Sequence, residues 1–118
     1  MIENSSIEEI NKWAGGALPG YYLEFLASHV EGIVGDLVLI YGTDSLIERN
    51  ETHETREYCP GYLAIGDDSG GRVFLIAREA KFTVYLSQMG SMDPHDFKSV
   101  SHNFRDWVAT GCPLNSAS

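Results

Sequence analysis

Apolar positions three and four residues apart open the chain. Ile7, Ile10 and Trp13 follow Ser5 and Ser6, each with a Glu three residues on at Glu8 and Glu9, which is the spacing of a capping box. A short helix is expected there, closed by Gly15-Gly16. Pro19 then stands where a first helical turn tolerates a missing N–H, and Leu18, Tyr22, Phe25, Leu26 and Val30 form the buried stripe of a second helix that Gly32 would stop. After it the period changes. Leu37 to Tyr41 is a continuous apolar run of strand length, followed by a turn at Gly42-Thr43-Asp44 and a brief helix through Leu46 and Ile47, capped by Asp44 or Ser45. Glu48 to Glu57 is polar throughout and reads as loop or solvated helix end, with Cys59-Pro60-Gly61 closing it. Tyr62 to Ile65 and Arg72 to Ala77 flank Asp67-Asp68-Ser69-Gly70-Gly71, the pattern of a β-hairpin whose glycines accept positive φ. Phe82 to Leu86 supplies another strand. From Ser101 a last helix carries Phe104, Trp107 and Val108 on one face and stops at Gly111, with Pro113 behind it.

Helices first and last with an antiparallel meander between them predict an α+β fold. Residues 1–112 are expected to form one domain, with a mainly antiparallel or mixed sheet flanked by N-terminal, middle and C-terminal helices, and 113–118 a flexible tail. The chain of 118 residues is long enough to bury roughly two-thirds of its unfolded surface around one core. Its 43% apolar content is that of a folded globule.

Charge narrows the partners. Seventeen Asp and Glu against eight Lys and Arg give a formal charge of -9, which repels phosphate backbones and anionic lipid and attracts a basic protein surface. Neither nucleic acid nor membrane is expected as a partner. No basic leader precedes an apolar core in the first residues and no apolar run reaches bilayer length, so a soluble, cytoplasmic protein is expected. Cys59 and Cys112 are the two cysteines, too few for a zinc site of sulfur ligands and expected as free thiols in a reducing compartment.

Motifs for chemistry are weak. Asp68-Ser69-Gly70-Gly71 is similar to the nucleophile loop of trypsin-like serine proteases, but an extra Asp interrupts the run, the chain is about half the length such a fold needs, and no His and Asp partners stand in context. A hairpin turn needing small residues explains it better. The same acids lack the alternating ligands and distal Glu of a calcium loop, and His29, His53, His95 and His102 are scattered, so no metal is expected. Asp93, His95 and Asp96 around Pro94 read as a capped turn, and no glycine pair is followed by the Lys and Ser/Thr of a phosphate loop. An enzyme centred on Ser69 or on the Asp93 turn is therefore disfavoured, and no cofactor is expected. What remains is acidic. Glu48, Glu51, Glu54 and Glu57 recur every third residue, and with Glu31, Asp36, Asp67 and Asp68 they are the candidate docking surface for a protein partner, although a charge run of this kind also serves merely as a solvated face.

Five short patterns occur in an order that resembles the SUKH superfamily, named for yeast cell-wall-assembly regulators and their bacterial immunity relatives. Leu18-Pro19 with Tyr22, Phe25 and Leu26 resembles its opening helix motif, and Leu46-Ile47-Glu48 with Asn50-Glu51 its short middle helix. Tyr58 and Pro60 lead into the strand. Leu63 to Gly71 resembles the hallmark strand and glycine turn, and Phe104, Trp107 and Val108 the closing aromatic helix. Glu31-Gly32-Ile33 departs from the family's usual Asn-Gly-Gly at the first turn. The resemblance spans Ile7 to Val108 and implies an α+β fold without shared catalytic residues. It further implies an immunity protein that neutralises a cognate toxin, often a nuclease, or alternatively a regulatory or scaffolding module that binds an endogenous protein.

Overall fold

The helical spacing around Ile7, Ile10 and Trp13 becomes helix α1 (Asn4–Trp13), with Ile10 buried and Ile7 and Trp13 half-buried against the core. A computed structural model describes residues 4–14, 18–34, 38–59, 61–68, 70–77, 83–88 and 93–110. The Gly15-Gly16 stop, Cys112 and the 113–118 tail lie outside those residues. Ser5 and Ser6 sit inside the first turn of α1 rather than ahead of it. The amide N–H of Leu18 donates to Asn11 Oδ1 at 2.9 Å, tying α1 to the start of α2 (Gly20–Ser28).

Helix α2 buries Tyr21, Tyr22, Phe25 and Leu26. It ends before Gly32, because the His29 ring N–H donates to the Phe25 carbonyl at 2.9 Å and its backbone N–H donates to Leu26, so this residue closes the last turn itself. Val30 therefore falls outside the buried stripe and is 39% exposed. Gly32, at φ 75°, instead turns the chain into strand β1 (Ile33–Val34).

Six strands follow in sequence order, each antiparallel to the next. They are β1, β2 (Leu39–Ile40), β3 (Tyr62–Asp67), β4 (Arg72–Ala77), β5 (Val84–Gln88) and β6 (Lys98–Ser101). The expected strand at 37–41 contributes only Leu39–Ile40 to the ladder, with Val38 and Tyr41 buried beside it and Leu37 outside the described residues. The hairpin forms where the glycines are, with Gly71 at φ 99°. Of the strand expected over Phe82 to Leu86, Phe82 lies outside the described residues and Thr83 precedes the ladder; β5 ends on Ser87 and Gln88, because pairing with β4 (Val73↔Ser87) carries the ladder past the last apolar side chain. Strands β1 and β6 had no sequence signal. One is two residues long and the other has a single apolar residue, Val100.

The polar stretch after Leu46 is helical, in α3 (Leu46–His53) and the single turn α4 (Thr55–Tyr58). Apolar periodicity cannot reveal it, because the positions that turn inward are Asn50 and Thr55, each 1% exposed. Helix α5 (Phe104–Ala109) is capped by Asn103, whose side chain accepts from the Asp106 N–H, while Ser101 belongs to β6. Consecutive residues of β3 and β4 are buried, so both faces of the sheet centre are covered. On one side Trp107 of α5 lies 5.0 Å from Phe74, and Phe104 meets Tyr21, Tyr22 and Phe25 of α2 at 5.3–5.7 Å between ring centroids.

Candidate functional site

Helix α3 has two opposite faces. At about 100° per residue, Leu46 and Asn50 point inward, which turns Glu48, Arg49, Glu51 and Thr52 to solvent. Glu54 follows as the link to α4, and Glu57 and Tyr58 stand exposed on α4 itself. Four of the expected docking carboxylates, Glu48, Glu51, Glu54 and Glu57, thus stand exposed along α3, the link at Glu54 and α4. Tyr58, 54% exposed, adds an aromatic ring that a charge-based reading passed over. Arg49 lies 4.0 Å from Glu48 with both side chains largely in solvent, a pair too weak to neutralise the segment. On its flank, Trp13 of α1 donates its indole N–H to Glu51 Oε2 at 3.3 Å.

Beneath this face a polar foundation fixes the helix to the sheet. Strand β2 pairs with β3 at Gly66 and Asp67, and the Tyr41 N–H donates to the Ile65 carbonyl, so the pairing stops short of the edge of β3 at Ala64. Asn50 takes the place of a strand there. Its Nδ2 donates to the Ala64 carbonyl at 2.8 Å and to the Leu46 carbonyl at 2.9 Å, and its Oδ1 accepts from the Ala64 N–H at 2.8 Å. Thr55 Oγ1 donates to the same Oδ1 at 2.8 Å, so one buried amide joins α3, α4 and β3. A second tie lies at the far end of α3. The Tyr41 hydroxyl donates to Asp67 Oδ2 at 2.6 Å and meets His53 Nε2 at 2.9 Å. Burial, reinforced by the bond to Asp67, raises the Tyr41 phenol well above its ordinary pKa, so it stays protonated. Burial also holds the His53 imidazole below its ordinary value, opposed by the Asp67 carboxylate and assisted by Arg49.

Of the other acids proposed for docking, Asp67 and Asp68 turn inward and Glu31 stands beside this segment. Asp67 is 8% exposed and accepts from the Tyr41 hydroxyl, so its carboxylate faces the interior. Asp68 is held within its own turn: its Oδ1 accepts from the N–H groups of Gly70 and Arg72, and its Oδ2 accepts from Arg72 Nε at 2.7 Å. Burial opposes its ionisation, but these donors outweigh it and hold the carboxyl below the ordinary carboxylate range. Sequence polarity could not distinguish these two acids from the four on the helices. Glu31 is exposed on the turn after α2, where the Val30 carbonyl accepts from the Asp44 N–H and so brings it near the start of α3. Asp36 lies outside the described residues, as does Ser69.

Asp93 accepts from the His95 N–H at 3.0 Å and begins a 3-10 turn (Pro94–Asp96), the capped turn expected from its sequence. Among the described residues no group of three or more His, Cys, Asp and Glu side chains is placed to hold a metal ion, and no helix is long and apolar enough to cross a membrane. Cys59 is buried with its thiol pushed up to about 11, far from a reactive thiolate.

No curated protein matches this chain. The model of the SMI1 / KNR4 family (SUKH-1) matches residues 1–110, which takes in every element from α1 to α5. With its opening aromatic helix, its glycine-turned β3–β4 hairpin and its closing Phe104 and Trp107 all in place, the chain belongs to the SMI1/KNR4 family of the SUKH superfamily.

Proposed function

We propose that this domain is an immunity protein that docks a basic toxin domain through the acidic face of α3 and α4 and thereby neutralises it. Domains of this family are protein-interacting and generally non-catalytic, which supports binding as the mode of action. The observation that carries the reading is that Glu48, Glu51, Glu54 and Glu57 all stand exposed on one segment whose inward side is pinned to β3 by Asn50. A prefixed array of carboxylates steers a cationic surface without first ordering its own backbone. Tyr58 beside Glu57 supplies an anchor of the kind that dominates interface energy. Glu31 lies at the rim.

The test is calorimetric titration with basic toxin domains as partners, at low and at raised salt. Tight binding that weakens with salt is expected, and the double reversal Glu48→Lys with Glu51→Lys should cut affinity by about a hundredfold while leaving the far-UV CD spectrum unchanged. Full affinity in that variant would sink the assignment of the face. No binding to these toxin domains at either salt, with an endogenous protein retained in their place, would make this a regulatory module instead.

A further inference from the structure

Hydrogen-bond accounting determines which ring nitrogen of His53 carries the proton. Asp67 offers a carboxylate oxygen that only accepts, so the Tyr41 hydroxyl proton is committed to it at 2.6 Å. The Tyr41 oxygen is then an acceptor toward His53, and Nε2, 2.9 Å away, must be the protonated nitrogen. A second proton has only Nδ1 to go to. The groups around the ring are Asp67 of β3, Tyr41 after β2 and Arg49 of its own helix, with Tyr22 of α2 behind Tyr41. Asp67, bonded to Tyr41, still attracts a cation on the ring, but the half-burial of the ring, stacked 6.2 Å from the Tyr41 ring, together with repulsion by Arg49, outweighs that attraction.

His53 is also the last residue of α3, and Glu54 just after it holds a left-handed conformation at φ 56°. The helix end is thus kept against the sheet by a neutral imidazole and followed by a strained link that gains from release.

We propose that His53, Tyr41 and Asp67 form a pH-sensitive latch that holds the C-terminal end of α3 closed while His53 is neutral and releases it when His53 is protonated. The sign follows from burial. A histidine harder to protonate in the closed form than in the open one favours opening as pH falls below the ordinary histidine range, by about tenfold for each unit of depression. Release would scatter Glu51, Glu54 and Glu57, so acid pH would weaken docking; that consequence rests on the proposed binding face, whereas the latch itself does not.

The experiment therefore uses the free protein. Amide hydrogen exchange over residues 46–58, corrected for intrinsic rates, is compared at about pH 7.5 and about pH 5.5 in the parent and in His53→Gln, which keeps an N–H for Tyr41 but cannot become charged. The parent should open more at the lower pH, and the variant should lose that dependence. Equal protection of the parent at both values, or an undiminished pH dependence in the variant, would overturn the latch. Should His53→Gln fail to fold, NMR titration of the parent decides. A His53 ring that titrates below the ordinary range together with loss of the α3 amide signals supports the latch, and titration without change in those signals refutes it.

Discussion

Glu54 is the single non-glycine residue with positive φ among the described residues, at φ 56°. A side chain in that region costs about 1 kcal/mol relative to glycine, yet the geometry lets α3 stop and α4 restart within one residue. Glu54→Gly should therefore raise stability by about 1 kcal/mol in chemical denaturation, while the lost carboxylate lowers affinity for a basic partner. Unchanged or raised affinity in this variant would separate Glu54 from docking. Asn50 acts in the opposite sense. Truncating Asn50→Ala leaves the Ala64 N–H and carbonyl and the Thr55 hydroxyl without this partner in a buried site, an expected loss of about 2–4 kcal/mol measured by urea unfolding. A loss within ordinary surface values would mean that water replaces the amide.

At the scale of elements, β3 is where the molecule is joined, since it pairs with β2 and β4 and receives α3 along its open edge. The bulge between Ala64 and Gly66 brings Gly66 so close to β2 that an added Cβ would collide with the Leu39 carbonyl oxygen. Gly66→Ala should part β2 from β3, seen as lost exchange protection at the Tyr41 N–H, which normally donates to Ile65, at a cost of about 2 kcal/mol or more. Retained protection there would show that the strands shift without parting. The hairpin and the aromatic helix were legible because their signals are local: two apolar runs around glycines, and Phe104 with Trp107 at helical spacing. Helix α3 beyond Ile47 was not, because its inward residue is an amide whose partner lies 14 positions away in β3.

For the whole molecule, the formal charge of -9 acts on the fold and on docking with opposite signs. Self-repulsion among carboxylates opposes the compact state, so raising salt from about 0.05 M to about 0.5 M should lift the melting temperature. The same screening should weaken association with a cationic partner. Melting curves and binding titrations across one salt series check both. A melting temperature insensitive to salt would mean that local pairs such as Arg72–Asp68 and Arg105–Glu24 already balance the field.

What the sequence by itself determined was the class, with helices before and after an antiparallel meander, the hairpin, the aromatic closing helix and, through the succession of its motifs, the family. Each rests on neighbours within a few residues, where periodicity and turn chemistry act. Only the tertiary structure decided which acids face water. Asp67 and Glu51 are the same kind of residue in the same kind of polar setting along the chain, but Asp67 meets a hydroxyl 26 positions away and is buried with it, whereas Glu51 keeps an exposed place on α3. Burial is a property of what the folded chain brings alongside, and no local pattern encodes it.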